Sequence, residues 1–329
     1  MADARYDVMG IGNAIVDVLA HADDLFLAEN ALVKGAMTLI DAETAERLYQ
    51  DMGPAIECSG GSAANTIAGL ASLEGAGAFI GKVRDDQLGA VFTHDIRTLG
   101  VAFDTPPAEA GPPTARCLIF VTPDAERTMQ TYLGACVDLG PEDIDGDEIA
   151  AAKVTYLEGY LWDRPRAKEA FRKAATIANR EGRTVSLSLS DPFCVDRHRE
   201  DFLDLLEGHV DVLFANEEEI KSLYKVDSFD KALQYVRGHC EIAALTRSEK
   251  GSVVVSGDEV HVVDAEPITK VADTTGAGDA YAAGFLYGFT QSRPLDICAR
   301  IGGICAAEVI SHVGARPEIS LKDVVEQKL

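Results

Sequence analysis

Apolar and polar positions along the chain alternate between two patterns. Short apolar runs typical of buried strands are separated by stretches in which apolar residues recur every three to four positions, as on one face of a helix. The helical pattern is clear at Arg166–Arg180 and Ile220–Leu223. Strands are predicted at Val8–Gly12, Ala78–Val83, Val154–Tyr160, Thr184–Leu189, Val210–Ala215 and Ile242–Thr246. Strands separated by helices predict an α/β fold, with a mainly parallel sheet covered by helices on both faces.

Three segments depart from this alternation. Residues 13–41 follow the first strand without a prompt helix. Further on, Cys117–Val121 and Thr128–Leu133 flank a turn at Pro123–Glu126, which predicts a hairpin. A second hairpin, over residues 252–263, is expected at an edge of the sheet. No internal repeat or linker divides the chain.

Polar residues and glycines directly follow several of the predicted strands. Ligands of open parallel sheets bind beyond the carboxyl ends of the strands. The sequence therefore predicts a binding site at this edge of the sheet. Its first members are Gly12, Asp191, Asn216 and Thr246.

Composition narrows the classes of protein that fit. Of the 329 residues, 47% are hydrophobic, which is enough for a large core and disfavours disorder. The 30 basic and 54 acidic residues give a formal net charge of −24. Such a surface repels nucleic acids and anionic membranes, so neither is an expected partner.

Cysteine usage and the amino-terminal residues predict the compartment. The seven cysteines are odd in number and form no C-x-x-C pair, which disfavours a disulfide framework or a zinc site. The first residues carry no apolar signal core, and the chain has no apolar run of about 18 residues. We therefore expect a cytoplasmic protein.

The segment Asp273–Ala280, with sequence DTTGAGDA, is the most informative part of the chain. It opens an apolar helical run, and unpaired N–H groups at a helix start attract phosphate. The carboxylate of Asp279 would repel a phosphate bound there. A role in removing the proton of an attacking hydroxyl would explain its presence beside a phosphate site. These eight residues alone fit an ordinary helix start equally well, with Asp279 as a partner of the helix dipole.

Other segments decide between these two interpretations. Together with Ser59–Thr66, a second glycine cluster before a helical run, Asp273–Ala280 resembles the paired signatures of the ribokinase-like (PfkB) carbohydrate kinase family. Five motifs in family order are far more specific than one glycine motif. The further matches are Gly10–Asp17, Gly81–Gly89 and Asn216–Glu219, and the resemblance spans roughly residues 5 to 318.

The resemblance implies a ribokinase-like fold and an ATP-dependent phosphotransferase acting on a primary sugar hydroxyl. It implies a single kinase domain over residues 1–329, with segments of a small β-sheet lid inserted at about 13–41 and 101–135. Gly12–Asp17 and Arg127–Ala135 are more similar to the bacterial adenosine kinases within the family. The expected acceptor is therefore the 5′-hydroxyl of adenosine, and the expected role is purine salvage.

Roles on the acceptor side follow from the resemblance and from side-chain chemistry. Asp279 is expected to take the hydroxyl proton, while the amides of Gly276, Ala277 and Gly278 cradle the phosphoryl group. Asp17 can accept hydrogen bonds from two neighbouring ribose hydroxyls, although a turn aspartate is the alternative. The other predicted substrate contacts are Asn13, Gly61, Ser62, Asn65, Leu133 and Tyr160. Trp162, Met37 and Cys117 are further candidates for walls around a base, with core packing as the alternative.

On the nucleotide side, Asn216 and Glu219 share one face if their segment is helical. The resemblance implies that they organise Mg²⁺ through its waters, and a dipole-stabilised acidic first turn is the alternative. Further nucleotide contacts are predicted at Thr246, Arg247, Gly251, Thr275 and Gly278. Ser248 and Arg84 stand where relatives often carry glycine. The loop Ser311–Pro317 resembles one that closes the nucleotide site and binds a monovalent cation in some relatives, which makes K⁺ a candidate cofactor.

Other functions stay open at this point. A ribokinase-, fructokinase- or 2-keto-3-deoxygluconate-type sugar kinase would use the same machinery with different pocket walls, and a non-catalytic nucleoside-binding protein could keep the fold. A dinucleotide oxidoreductase is disfavoured because Ile15 occupies its third glycine position. A P-loop enzyme is disfavoured because Val83 replaces the required hydroxyl residue. The expected partner is a small-molecule nucleoside or sugar, and the expected state is a monomer or homodimer.

Overall fold

The computed structural model describes residues 4–124 and 126–329. Ala125, in the predicted turn at 123–126, lies outside the described residues. The strands are β1 (Tyr6–Ile11), β2 (Ile15–His21), β3 (Met37–Leu39), β4 (Ala55–Gly60), β5 (Gly77–Ile80), β6 (Ala115–Val121), β7 (Arg127–Tyr132), β8 (Ala152–Glu158), β9 (Thr184–Ser188), β10 (Val212–Asn216), β11 (Ile242–Thr246), β12 (Ser252–Ser256) and β13 (Glu259–Val263). The helices are α1 (Asp24–Glu29), α2 (Ala42–Asp51), α3 (Ser62–Ser72), α4 (Gln87–Thr98), α5 (Gly146–Ala150), α6 (Pro165–Arg180), α7 (Pro192–His209), α8 (Glu217–Tyr224), α9 (Phe229–Val236), α10 (Ala277–Thr290), α11 (Leu295–Val309) and α12 (Leu321–Lys328).

A large sheet has the strand order β13-β12-β11-β10-β9-β8-β1-β5. Neighbouring strands pair in parallel across β5, β1, β8, β9, β10 and β11, and β12 and β13 add an antiparallel hairpin at the edge. Strands buried on both faces read as continuous apolar runs, which is why sequence pattern alone located them. The predicted α/β fold is confirmed. The observed bounds differ slightly, because β8 ends at Glu158 and Tyr160 lies in the 3₁₀ helix Gly159–Asp163.

Helices cover both faces of this sheet and form two separate cores. On one face, α5 to α9 bury a cluster that includes Trp162, Phe171 and Phe202. On the other face, α3, α4, α10 and α11 bury a cluster that includes Phe79 and Phe285. Trp162 is fully buried and stacks on Phe202 at 5.5 Å between ring centroids. The prediction that Trp162 lines a substrate pocket is wrong, because its ring is enclosed by α6 and α7.

A smaller sheet, with order β3-β7-β6-β2-β4, stands beside the first. β6 and β7 form the predicted hairpin, and β2 starts only four residues after β1 ends. β4 was not predicted as a strand. It pairs antiparallel with β2, from Ile15 opposite Gly60 to Ala20 opposite Ala55. Since the run 55–60 has no clear alternation of apolar and polar residues, tertiary pairing rather than local pattern sets its conformation. Within the described ranges, no helix is long and apolar enough to span a bilayer.

Candidate active site

Asp279 lies where the first turns of α3 and α10 meet. Its Oδ1 accepts a hydrogen bond from Ser62 Oγ at 2.6 Å, and its Oδ2 accepts one from Asn65 Nδ2 at 3.3 Å. Burial raises the pKa of Asp279 to about 6, while these two donors oppose the rise. The structure thus brings together three predicted site residues, of which Asp279 is more than 200 positions from Ser62 and Asn65 in sequence. A carboxylate with a pKa near the working pH suits proton transfer.

The turn before α10 exposes backbone amides. Gly276 has φ +76°, and a Cβ there would collide with Ala315, so this position requires glycine. A Cβ at Gly278 would meet only open space. Asp273 Oδ1 holds the turn by accepting from Thr275 N and Oγ1 at 2.9 and 2.7 Å. The Ala277 amide donates to Thr274 O at 3.2 Å, whereas the amides of Gly276 and Gly278 have no acceptor among the described residues. Free amides at a helix start are the arrangement that binds anions.

Asp17 lies on β2 of the small sheet, with one residue directly beside it on each of the two neighbouring strands. Its register partners are Cys58 on β4 and Cys117 on β6. Burial raises the pKa of both thiols, to about 11 for Cys58 and about 12 for Cys117, so both are neutral neighbours. Burial also raises the pKa of Asp17 to about 6, while the guanidinium groups of Arg316 and Arg127 oppose the rise. No hydrogen-bond donor from the described residues contacts the Asp17 carboxylate, which leaves its oxygens available to a ligand.

Asn216 caps α8 in a closed local motif with Glu219. Asn216 Oδ1 accepts from Glu219 N at 2.9 Å, and the Glu219 carboxylate accepts from Asn216 N and Nδ2 at 2.9 and 2.6 Å. Only 5% of the Glu219 surface is exposed. Burial raises the pKa of Glu219 to about 7, with further contributions from Asp191 and Asp279. Glu219 is therefore electrostatically coupled to the base candidate, although its own hydrogen bonds are local.

Thr246 and Arg247 lie at the end of β11, beside Asn216 in the sheet register. Arg247 Nε donates to Glu217 at 3.0 Å, and its guanidinium lies 4.1 Å from the ring centroid of Phe229. The cation is thus already paired and stacked. Any contact with a phosphate has to compete with Glu217.

Two positions where relatives often carry glycine behave differently. Ser248 has φ +51°, in the left-handed region that favours glycine, so this serine is strained. Arg84 has no such backbone constraint: its N–H donates to Thr114 Oγ1 at 3.0 Å and its guanidinium to Ala108 O at 3.1 Å. Gly251, three residues after Ser248, has φ +78° and packs directly against the chain after β13.

The pfkB family carbohydrate kinase model matches residues 55–321, which is most of the chain. The chain belongs to this family. It is a kinase that uses ATP, and both the predicted family and the predicted activity class are confirmed.

Solved structures similar to this kinase cover its whole length. An adenosine kinase from Sinorhizobium meliloti is 56% identical, with a TM-score of 0.91 over 99% of this chain and 100% of that chain. A probable sugar kinase from Rhizobium etli CFN 42 is 55% identical, with a TM-score of 0.91 over 99% of both chains. An ATP-dependent ribose-1-phosphate kinase from Halopiger xanaduensis is 32% identical over 79% of this chain and 83% of its own length.

Glu158, which sequence reasoning missed, joins the segment after β1 to the first turn of α3. It lies at the end of β8 with 1% of its surface exposed. Its carboxylate accepts from Asn13 Nδ2 at 2.5 Å, Asn13 N at 3.3 Å and Ala63 N at 2.8 Å. Burial raises the pKa of Glu158 to about 7, and these donors oppose the rise. A lone acid at the end of an apolar strand, directly before Gly159, was the signal that could have identified it.

Asn13 is anchored by this contact. Its Oδ1 also accepts from Cys136 Sγ at 3.0 Å, so both ends of its amide are engaged within the protein. Gly61, which starts α3, has φ +100°, and a Cβ there would collide with the Asn13 carbonyl oxygen. The backbones of Asn13 and Gly61 are therefore in direct contact, close to Ser62 and Asp279.

Leu133 and Tyr160 do not join these hydrogen-bond networks through their side chains. Leu133 is half-buried directly after β7. Tyr160 is 41% exposed, and its backbone N–H donates to Ser190 Oγ at 3.1 Å. Among the other wall candidates, Met37 is 52% exposed on the edge strand β3 and Cys117 is buried beside Asp17. These side chains stay predictions for base contacts.

Proposed function

We propose that this kinase transfers the γ-phosphate of ATP to the 5′-hydroxyl of adenosine, giving AMP. The observation that carries the proposal is 56% identity to the Sinorhizobium meliloti adenosine kinase over essentially both full chains. The adenosine kinase of Saccharomyces cerevisiae is also similar, at 26% identity over 92% of this chain. We also propose a role in purine salvage in the cytoplasm.

The acceptor end supplies a base and a hydroxyl clamp. Asp279 takes the proton of the attacking hydroxyl, and Ser62 and Asn65 hold its carboxylate in position. Asp17 accepts from two ribose hydroxyls through oxygens that have no donor among the described residues. The pocket shape set by Asn13 and Gly61 lets the sugar lie against the backbone. Leu133 and Tyr160 contribute walls for the base.

The donor end supplies amides. The N–H groups of Gly276 and Gly278 neutralise charge on the transferring group, which is the main task in phosphoryl transfer. Those of Thr275 and Ala277 also donate to Asp273 Oδ1 and Thr274 O, so a phosphoryl group would have to share them. Thr246, Arg247, Gly251 and Asn216 border the rest of ATP. A protein with a net charge of −24 repels ATP at long range, so these local contacts have to outweigh that field.

The residues present fit Mg²⁺ held through water. Both oxygens of Glu219 accept from Asn216, so direct coordination would disrupt the cap of α8, whereas an ordered water needs only a remaining lone pair. Within residues 4–124 and 126–329, no group of three acidic, His or Cys side chains could hold a metal directly. When bound, Mg²⁺ would neutralise phosphate charge.

A need for K⁺ is less well supported by the side chains of this site. The loop Ser311–Pro317 meets Asp273, whose Oδ2 accepts from Gly314 N at 3.0 Å and also pairs with Arg127. Asp273 therefore already has a cationic partner. We propose that turnover is similar in K⁺ and Na⁺ buffers, and a large activation by K⁺ alone would overturn this point.

A second candidate is a sugar kinase. It is favoured by the similarity to the probable sugar kinase from Rhizobium etli and to the ribose-1-phosphate kinase from Halopiger xanaduensis. Asp17, Asp279 and the amide turn would serve a free sugar equally well. The two candidate functions would differ in the side chains that line the acceptor site. In either case the partner is a small molecule, bound by a monomer or homodimer.

The test is ADP release with ATP and Mg²⁺ against adenosine, inosine, guanosine, ribose, fructose and 2-keto-3-deoxygluconate. We expect kcat/KM for adenosine to exceed that for every other acceptor by at least about a hundredfold, which is the discrimination that a shaped apolar pocket provides. Preference for a free sugar would replace the adenosine proposal with the second candidate. Binding of adenosine without any turnover would favour a non-catalytic role.

A further inference from the structure

Arg316 is the centre of a hydrogen-bond chain that the proposed mechanism does not use. It follows Ala315 in the loop after α11. Its Nε donates to Asn65 Oδ1 at 3.2 Å, and its Nη1 donates to Asp95 Oδ2 at 3.1 Å. Because Asn65 in turn donates to Asp279, Arg316 links α4 to the first turn of α10 through α3.

The chemistry of these groups fixes which way the Asn65 amide faces. A guanidinium only donates hydrogen bonds, and an ionised carboxylate only accepts them. Arg316 therefore requires the Asn65 oxygen on its side, which leaves the Asn65 NH₂ group for Asp279. An ionised Asp279 favours the same orientation, but only Arg316 fixes it whatever the protonation state of Asp279.

Asp95 holds the guanidinium from the opposite side. Its Oδ2 also accepts from Ser59 N at 2.8 Å and Ser59 Oγ at 2.5 Å. Ser59 is fully buried on β4. The guanidinium of Arg316 is thus held between Asn65 on α3 and Asp95 on α4. Its other terminal nitrogen is shielded from solvent and has no hydrogen-bond partner within the described residues.

The charge of Arg316 also acts on Asp17. The charged groups that influence this carboxylate are Arg316, Arg127 from β7 and Asp279 from α10. Its neighbours across the sheet, Cys58 and Cys117, are neutral. Burial raises the pKa of Asp17, and Arg316 is the larger of the two cationic influences that oppose this rise.

We propose that Arg316 is a positioning residue for phosphoryl transfer, which orients the Asn65 amide toward Asp279. The proposal rests on the role given above to Asp279. It does not depend on whether the acceptor is adenosine or a sugar. Because orientation of the base affects the chemical step, loss of Arg316 should lower kcat more than it changes ATP KM.

The test is a double-mutant cycle with R316L, N65A and the double variant, measured with the acceptor that the wild type phosphorylates best. We expect R316L to lower kcat by about tenfold to a hundredfold, as loss of base orientation does. In the N65A background, R316L should lower kcat by less than about threefold, since the hydrogen bonds from Arg316 through Asn65 to Asp279 are already lost. R316K keeps one charge but not the two-pronged contact with Asn65 and Asp95, so kcat should stay low. R300L, on the exposed face of α11, is the matched control.

Multiplicative effects of R316L and N65A on kcat would overturn the proposal, because Arg316 would then act independently of Asn65. Full recovery of kcat in R316K would overturn the orientation argument as well. The same cycle on thermal midpoints reports the Arg316–Asn65 coupling without any turnover. If adenosine fails and a sugar is phosphorylated, the cycle on that sugar still decides the role of Arg316.

Discussion

The acceptor end and the donor end of the site are held together in different ways. At the acceptor end, hydrogen bonds join four segments that are distant in sequence, through Ser62 and Asn65 of α3, Glu158, Asp279 and Arg316. At the donor end, the polar contacts are mostly local, such as the cap of α8 at positions 216–219 and the Asp273–Thr275 turn. Long-range contacts exist only when the whole chain has folded, so the acceptor end is a coupled network. The donor end is held mainly by local turns, although Asp273 also bonds to Arg127 and Gly314.

The largest effect is expected for D279N at the centre of the acceptor network. Asparagine keeps the size of the side chain but cannot take a proton, so kcat should fall by about a hundredfold to ten-thousandfold. Steady-state turnover and circular dichroism measure activity and folding together. D296N is the matched control, because Asp296 lies in the first turn of the neighbouring helix α11 and is exposed. Near-wild-type turnover of folded D279N would eliminate the general-base role.

The next effect is expected for D17A. Loss of paired hydrogen bonds from the acceptor hydroxyls to a carboxylate should raise acceptor KM by about tenfold to a hundredfold. ATP KM should change little, because Asp17 belongs to the acceptor end. Initial rates with each substrate varied in turn separate the two constants. An unchanged acceptor KM would show that Asp17 does not hold the sugar.

A smaller and local effect is expected for R247A at the donor end. If Arg247 leaves Glu217 to contact a phosphate, ATP KM should rise by about threefold to tenfold, as for one exposed charge contact. Acceptor KM should stay the same. E217Q is a useful companion, because it frees Arg247 and should not raise ATP KM. A large loss of kcat in R247A would contradict the independence of the two ends.

The smallest effect is expected for S248G. Glycine relieves the left-handed backbone at φ +51°, which should stabilise the fold by about 0.5–1 kcal/mol after its own entropy cost. Urea unfolding measures the difference. S256G, at the end of β12 where φ is not positive, should be neutral or destabilising. A destabilised S248G would mean that the Ser248 side chain makes a contribution larger than its backbone strain.

The same contrast explains what sequence alone could predict. The parallel strands, the cap formed by Asn216 and Glu219 and the turn before Asp279 depend on residues a few positions apart, so their patterns are visible in the chain. Glu158 and Asp95 acquire their partners only through the tertiary fold. Trp162 was misassigned because position at a strand end does not reveal which way a ring faces. The edge strand β4 was missed because its pairing with β2, rather than its composition, makes it a strand.

The most direct test of the coupled acceptor end is the pH dependence of kcat/KM for the wild type. Asp279 and Asp17 must both be ionised for the proposed reaction, and burial raises the pKa of each to about 6. Activity should therefore be full above this value and fall as pH drops through 6 toward 5, with apparent pKa values that belong to the pair. A flat profile from pH 7 to 5, in protein shown to be folded by circular dichroism, would contradict the proposal that these two carboxylates act as base and hydroxyl clamp.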